Sequence, residues 1–473
     1  MKLLNRLFAF DERQATLKGE IIGALVTFAS IIYILPVNAA LLSDAGMDAG
    51  GVFFMTALVS CLTCLVMGLV ANYPLALSAG MGMNAYISYT ICGTMGFDWI
   101  EAMMLLTLNG LLFMTLTLTP LRGIIINAIP KGLRNAISIG LGGFILFVGL
   151  QGAGIISDAS TLVTLGDFSS PGVLLASFGI LLCLGLMAFK KIPLLNQLAI
   201  PLSLVVTALF GVAASLILGA TGNGAAAIAG GLPLAPWEDS AVSWGVSGIE
   251  KVFLYGIFDP ANAALDYGVR VADFFSNPET YVAVFTLLFV NMFDTTATML
   301  TCAKHCGLVN EKGELKNAKR AMVADATGSL LSGPLGTSTV TSFAESTIGI
   351  AIGAKTGLTA VIIGILFLIS GFAFPIFSVF SYSSVNAVAL VGVGLLIMSS
   401  SLPELAKEDK TTILSGILLF LSMVLTYSLS NGLAIGVLAY IVMRLFEGKW
   451  REISIPVYAL GVIFILSFII TNI

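Results

Sequence analysis

Charged residues are scarce in this 473-residue sequence, where Asp, Glu, Lys and Arg together make up 10% of the chain. A soluble globular domain has roughly 25% charged residues, so this shortage disfavours that class of protein. The formal net charge is only −4, and we expect no nucleic-acid partner. Apolar residues make up 58% of the chain, which favours a membrane protein.

The sequence also lacks the motifs of an enzyme or a metal site. It has no G-x-S-x-G motif and no recognisable pairing of a nucleophile with a base. The one histidine, His305, lies near Cys302 and Cys306, but no fourth ligand for a tetrahedral metal site is evident. Cys61 and Cys64 form a C-x-x-C inside a membrane-length apolar run, where we expect packing rather than redox chemistry. We therefore expect no enzymatic activity, no cofactor and no metal.

Long apolar segments, in contrast, recur along nearly the whole chain. Only α-helices and closed β-barrels satisfy backbone groups in lipid, and barrel strands would alternate in polarity. The sequence therefore predicts an all-α polytopic membrane protein with about 14 transmembrane segments. A further apolar run at 454–472 is another span, an interfacial helix, or a sign that one long bent helix has been divided. The predicted segments lie near 20–42, 51–71, 76–93, 99–119, 136–155, 171–189, 196–219, 280–303, 322–335, 342–355, 357–378, 384–400, 411–429 and 432–446.

Lys and Arg are distributed unevenly between the predicted loops. They cluster before the first segment and after the fourth, sixth, eighth, twelfth and fourteenth, whereas alternate loops such as 43–51 carry none. By the positive-inside rule, this asymmetry predicts a cytoplasmic N-terminus for a protein of the cytoplasmic membrane. The long loop 220–279 is then external.

The number and character of the segments predict an inverted repeat. Seven segments in residues 1–219 and seven in 280–473 would turn the second copy upside down relative to the first. Segment 3 opens with Pro74 and is interrupted by Gly80 and Gly82, and segment 10 opens with an extended, Ser/Thr-rich stretch. Such broken segments predict half-helices whose N-terminal N–H groups point at a site near the membrane midplane.

Two acids lie inside these apolar segments. Asp294 shares one face of a predicted helix with Asn291, Thr298 and Thr301, because these positions follow the helical period. Glu345 follows the Ser/Thr-rich stretch of segment 10. Ionisable groups at membrane depth are costly to bury and usually face a cavity that has a function. The two acids therefore predict a substrate and ion site.

Structural roles for the acids stay open at this stage. Asp294 could cap or hydrogen-bond a neighbouring helix, and Glu345 could form a capping box with Ser342. For Asp325 we expect a cap or an ion pair, because basic residues precede it closely in the sequence. Glu20 lies at a span end, where an acid can reach water.

The charge pattern also limits the ligand. No Lys or Arg falls clearly within the central part of a predicted segment, which disfavours a strongly anionic substrate such as sulfate. A carboxylate accepts ligand N–H groups, and helix N–H groups serve ligand carbonyls and ring nitrogens. The site therefore suits a neutral, planar ligand with donor and acceptor edges.

Five motifs resemble those of a known transporter family. They are NYPLALSAGMGMNAY, AISIGLGGFILFVGLQGAG, FDTTATM, ADATGSLLSGPLGTSTVTSFAES and GAKTGLTA. The family is that of the azaguanine-like purine permeases, within the nucleobase–cation symporter and nucleobase–ascorbate transporter superfamily. The resemblance covers essentially the whole chain.

The resemblance implies two inverted seven-span repeats with half-helices at segments 3 and 10. It further implies a core domain (spans 1–4 and 8–11) and a gate domain (spans 5–7 and 12–14). It also implies uptake of a purine base such as hypoxanthine, guanine, xanthine or adenine, usually with protons. The polar stripe adds Asn291 to the expected substrate contacts, and the family motifs place the others at Asp294, Glu345, Thr298, Phe343, Ala344, Met83 and Asn84.

We accordingly interpret the chain as a proton-coupled importer of purine nucleobases. The coupling proton is assigned to Asp294, with Glu345 as the next candidate. The alternatives are a transporter of the same fold for a pyrimidine, ascorbate or a small anion, and, from another class, a channel or ligand sensor. The expected partners are the purine base, the proton and the lipid bilayer, and a homodimer stays open.

Overall fold

The computed structural model describes residues 2–160, 162–189, 191–224, 229–235, 248–257, 259, 262, 266–308 and 317–471. Within these residues the chain is mostly helical, with two short two-stranded sheets. The first half contains α1 (Lys2–Phe8), α2 (Leu17–Ile31), α3 (Ile34–Asp44), α4 (Ala49–Val66), β1 (Leu77–Ala79), α5 (Met81–Ala85), α6 (Trp99–Leu118), α7 (Leu121–Ala128), α8 (Lys131–Gly152), β2 (Ile156–Ala159), β3 (Leu162–Leu165), α9 (Pro171–Ala188), α10 (Pro193–Gln197) and α11 (Ala199–Ala220).

The second half begins with two short helices and ends with an apolar one. Its elements are α12 (Ile249–Val252), α13 (Tyr267–Ser276), α14 (Pro278–His305), α15 (Ala318–Ser332), β4 (Val340–Ser342), α16 (Ser346–Ile352), α17 (Gly357–Gly371), α18 (Phe374–Ser378), α19 (Ser383–Leu405), α20 (Lys410–Leu425), α21 (Leu429–Phe446) and α22 (Ile455–Thr471). Turns of π-helix extend α4 over Met67–Ala71 and α5 over Tyr86–Thr94.

Eight of the described helices are long and apolar enough to cross a membrane. There are up to nine if α17 and the bent segment Phe374–Ser381, which meet at 90°, count as one span. The expectation of a multi-span helical protein is confirmed at this level, whereas the count of fourteen stays a prediction. The eight are Leu17–Asp44, Ala49–Ala71, Trp99–Leu118, Lys131–Gly152, Pro171–Ala188, Ala199–Ala220, Ser383–Leu405 and Leu429–Phe446.

Two buried strands from distant parts of the chain lie side by side. β1 pairs antiparallel with β4, and Ser78 lies opposite Thr341. Outside the ladder, the Gly80 N–H donates to the Thr339 carbonyl at 3.0 Å and the Phe343 N–H to the Ala76 carbonyl at 3.0 Å. An extended backbone inside an apolar protein needs such partners because each unpaired N–H or carbonyl costs free energy. After each strand the chain becomes helical, at α5 and at α16.

Close backbone contact between helices depends on glycine at a few places. A Cβ built on Gly68 would lie 2.4 Å from the Gly357 carbonyl oxygen, and one on Gly110 would lie 2.4 Å from the Ser329 carbonyl oxygen. Neither position admits a larger side chain without a backbone shift. Small residues allow this close approach. Lipid tails are as apolar as the helices, so close packing rather than the hydrophobic effect drives helix association in a bilayer.

A buried ion pair joins α7 to α15. Arg122 Nη2 lies 3.1 Å from Asp325 Oδ2, and both side chains are at most 1% exposed. The guanidinium also donates to Thr117 Oγ1 at 3.1 Å and lies over the Phe113 ring. The expected ion pair of Asp325 is therefore present, but its partner comes from a distant helix rather than from the basic residues that precede it in sequence.

Glu20 anchors α2 to the start of α17. Its Oε1 accepts from the Lys355 and Thr356 N–H groups at 2.9 Å each, and its Oε2 accepts from the Thr359 N–H at 3.2 Å and hydroxyl at 2.6 Å. Glu20 is 0% exposed. The expectation that this acid reaches water was wrong, because the N-terminal N–H groups of a distant helix supply donors for a carboxylate.

Two regions whose structure the sequence left open are the final apolar run and the long loop 220–279. The final apolar run forms α22, which contacts α21 and α14. Part of the predicted loop 220–279 lies outside the described residues, and the remainder contains α12 and α13.

Candidate functional site

A small cavity lies where the paired strands β1 and β4 end and the following helices begin. Its volume is about 90 Å³, so it suits a ligand smaller than those held by pockets of roughly 300–1,000 Å³. We call it the carboxylate cavity, because Asp294 and Glu345 both line it. Its other lining residues are Tyr33, Met81, Gly82, Leu141, Thr298, Thr341, Ser342, Phe343, Ala344, Val393, Leu396 and Ile397.

Helix α14 supplies one polar edge of this cavity. Asp294 and Thr298 are four residues apart, so both side chains lie on the same face of the helix, and both are partly buried. Within the described residues, Asp294 has neither a hydrogen-bond nor an ion-pair partner. The alternative that Asp294 caps or bonds a neighbouring helix is therefore not seen. The side chain of Thr301, further along the stripe, lies outside the described part.

Glu345 supplies the second carboxylate from the residue before α16. The Tyr33 hydroxyl donates to its Oε1 at 3.3 Å. The predicted capping box with Ser342 is not formed: Glu345 makes no side-chain cap bond at this N-terminus, and the Ser342 hydroxyl has no partner among the described residues. Most of the accepting capacity of the Glu345 carboxylate is therefore left for a ligand.

Phe343 and Ala344 line the cavity, as expected. Some of their backbone groups are already hydrogen-bonded within the protein. The Phe343 N–H already donates to Ala76, so it is not available to a ligand. The Ala344 carbonyl accepts from Thr347 through both its N–H at 3.0 Å and its hydroxyl at 2.8 Å.

Three other predicted contacts lie outside the cavity wall. Met83 and Asn84 are buried behind it, at 1% and 0% exposure, and the wall of this helix is instead formed by Met81 and Gly82. Asn291 is fully buried and donates to the hydroxyls of Ser329 at 3.1 Å and Thr339 at 3.2 Å, so it joins α14 to α15 and to the strand region.

The sequence reasoning missed the residues that complete the wall. Three of them are polar, namely Tyr33, Thr341 and Ser342. Tyr33 lies in an apolar run with no motif to single it out. Leu141, Val393, Leu396 and Ile397 come from α8 and α19, and they form the apolar side opposite the carboxylates. Nothing in the sequence marks these aliphatic residues, because such side chains occur throughout every span.

The arrangement can bind a small planar molecule through its edges. Two carboxylates and the Thr298 hydroxyl accept N–H groups, while the aliphatic wall and Phe343 contact the faces of a ring. No Lys or Arg is among the residues that line the cavity in the described structure. The lining is therefore unsuited to a strongly anionic ligand.

The fold resembles that of a solved multi-pass transmembrane domain. It superposes on the transmembrane domain of the cyanobacterial bicarbonate transporter BicA with a TM-score of 0.57 at 16% identity, over 89% of this chain and 97% of that one. At this identity the likeness shows the fold alone. Residues 18–435 match the profile of a family described as the Permease family. The chain belongs to this permease family.

Relatives within reach of sequence comparison cover nearly the whole chain. The guanine/hypoxanthine permease PbuG of Bacillus subtilis is 37% identical, over 98% of this chain and 99% of its own length. The adenine permease AdeQ of Escherichia coli is 31% identical, over 99% and 97%. These relatives are permeases and not enzymes, which agrees with the expected transport class. The resemblance to purine permeases is thereby confirmed.

Proposed function

We propose that this protein imports purine nucleobases across the cytoplasmic membrane as a proton-coupled secondary transporter. The observation that carries the proposal is the carboxylate cavity, where Asp294 and Glu345 face a space for one small ligand with few competing partners. The names of PbuG and AdeQ as guanine/hypoxanthine and adenine permeases support a purine as that ligand.

The proposed binding mode follows from the donors and acceptors of a purine. Glu345 accepts two N–H groups of the base along one edge, since a carboxylate has two oxygens and about four lone-pair sites. Asp294 and Thr298 serve the opposite edge, and Phe343 contacts the ring face. Asn291 supports this wall by joining α14 to α15 and to the strand region, and Met83 and Asn84 are buried behind it.

We assign the topology by the same reasoning as the site. Residues 1–219 and 280–473 form two inverted repeats of seven segments joined by the external loop, with the N-terminus in the cytoplasm. The antiparallel pairing of β1 with β4, each followed by a short helix, supports half-helices at segments 3 and 10. In this scheme core and gate domains move relative to each other, and the carboxylate cavity lies between them.

The direct test is uptake of radiolabelled hypoxanthine by proteoliposomes that contain the purified protein. We expect saturable accumulation under an inward proton gradient, competed by guanine, adenine or xanthine but not by uracil. Saturation and accumulation would exclude a channel or sensor. Uptake of uracil or ascorbate in place of purines would overturn the substrate assignment.

We propose that the carboxylate of Asp294 binds the co-transported proton. One proton entering with the base gains roughly 2.3 kcal/mol per 100 mV, enough for roughly fifty-fold accumulation of a neutral solute. Asp294→Asn should abolish gradient-driven accumulation while purine exchange between the two sides persists. The matched control is Asp273→Asn, which changes an exposed acid on α13. If Asp294→Asn still accumulates purine under a proton gradient, the proton is carried by Glu345 or another group; if only a sodium gradient drives uptake, the proton assignment is wrong.

A further inference from the structure

A second cavity lies directly beside the carboxylate cavity. Its volume is about 230 Å³, and it shares Ala344, Glu345 and Leu396 with the first. We call it the amide cavity, because Asn196 and Gln197 line it. Its remaining lining residues are Ser30, Met187, Ala199, Ile200, Pro201, Thr347 and Ile348.

The amide cavity, like the first cavity, combines a carboxylate with polar and apolar side chains. Glu345 is the only charged residue that lines it in the described part of the chain. Asn196 donates its side-chain N–H to the Met187 carbonyl, which leaves the amide oxygen to accept from a ligand. Gln197 is exposed and can present either a donor or an acceptor. Met187, Ile200 and Ile348 supply apolar surface for a ring.

Not every cavity of the described structure adjoins the carboxylate cavity. Two other cavities, one lined by Glu279 and Asn431 and one by Asp44 and Asn386, share no lining residue with the carboxylate cavity. Of these cavities, the amide cavity is the one that shares lining residues with the carboxylate cavity in the described part of the chain. Asn196 and Gln197 follow Lys191 closely in the sequence, and the positive-inside rule predicts that this basic connection is cytoplasmic.

We propose that the amide cavity is a second binding site for the same neutral heteroaromatic base, occupied after the base leaves Asp294 and before it enters the cytoplasm. Glu345 lines both cavities, so the base can keep one edge on this carboxylate while its other edge exchanges Asp294 for the amides of Asn196 and Gln197. This inference rests on the proposed function.

The test compares the two faces of the membrane. Purine half-saturation would be measured by hypoxanthine exchange in right-side-out and inside-out vesicles, for wild type and for Asn196→Ala, Gln197→Ala and the double variant. Each lost neutral hydrogen bond contributes about 0.5–1.5 kcal/mol, which corresponds to about two- to ten-fold. We expect cytoplasmic half-saturation to rise by this factor per residue, and external half-saturation to stay within about two-fold.

The controls separate this inference from the proposed function and from misfolding. Ser400→Ala removes an exposed hydroxyl of α19 that lines neither cavity, and it should leave both faces unchanged. Because Gln197 is exposed, its single variant tests the site even if changing Asn196 destabilises the α9–α10 connection. Equal changes on both faces, or none, would overturn the second site while wild-type purine transport stands. Absence of purine transport by the wild type would overturn the proposed function instead.

Discussion

Two glutamates on neighbouring parts of the fold show opposite uses of a carboxylate inside a membrane protein. Glu20 accepts from four donors of residues 355–359, at 2.6–3.2 Å. Glu345 accepts from one side-chain donor among the described residues, the Tyr33 hydroxyl at 3.3 Å. Helix α16, which follows Glu345, also contacts α2, which carries Glu20.

The difference lies in how many lone pairs the protein itself uses. A carboxylate offers about four acceptor sites, and Glu20 has all of them occupied by protein donors. Glu345 keeps most of its sites free and faces a cavity. The two aspartates differ in a similar way. Asp325 pairs with Arg122 through Oδ2, although its buried Oδ1 has no hydrogen-bond partner among the described residues, whereas Asp294 has no partner in the described structure and lines the same cavity as Glu345. An acid bound by protein donors or by a countercharge has a structural role, whereas an acid with free oxygens at a cavity is the candidate for ligand binding.

The largest expected effect comes from breaking the buried ion pair. Arg122→Ala leaves Asp325 buried without a countercharge, and the free energy of unfolding should fall by about 3–5 kcal/mol. The measurement is equilibrium unfolding of the detergent-solubilised protein. The control Arg451→Ala removes an exposed arginine near the chain end and should change stability by less than about 0.5 kcal/mol. Equal stability of both variants would contradict a structural role for the pair.

Glu345→Gln should produce the next largest effect, on binding rather than on stability. The variant keeps the shape but loses a charged acceptor, and a hydrogen bond to a charged group contributes roughly 1.5–3 kcal/mol. Purine affinity of the purified protein should fall about ten-fold or more, while its unfolding midpoint is unchanged. An unchanged affinity would leave Glu345 without a role in binding.

Glu20→Gln is the matched variant, with the same chemical change in the opposite environment. The amide nitrogen would face the Thr359 N–H, and one unsatisfied buried donor costs about 1–3 kcal/mol. We expect a lower unfolding free energy and unchanged purine affinity in the protein that remains folded. If Glu20→Gln weakens purine binding as much as Glu345→Gln does, the distinction between structural and binding acids fails.

Tyr33→Phe should have the smallest effect. It removes the one side-chain donor to Glu345 but keeps the aromatic ring in the cavity wall, so the carboxylate loses orientation and not charge. A neutral donor of this kind contributes about 0.5–1.5 kcal/mol, and purine affinity should fall about two- to ten-fold. The measurement is purine binding beside that of Glu345→Gln, and in the double variant the effect of Tyr33→Phe should shrink. Independent, additive effects would show that Tyr33 does not act through Glu345.

The sequence alone determined the class of protein and singled out the two acids that line the carboxylate cavity. Scarce charge and recurring apolar runs are sufficient for a polytopic helical protein, because the bilayer admits few other structures. Asp294 and Thr298 could be placed together because helical periodicity acts over four residues. Glu345 could be singled out because an acid in an apolar segment is costly to bury.

Only the tertiary structure decided which polar groups reach the cavity. Glu20 looked solvated and proved buried because its donors lie more than 330 residues away, and Asp325 took a partner 203 positions distant in the sequence. Asn84 and Asn291 are polar and were predicted to contact the substrate, yet they lie behind the wall. Tyr33 and the aliphatic wall carry no sequence signal. Local periodicity tells which face of a helix is polar, but the neighbour that this face meets is set by packing between segments far apart in the chain.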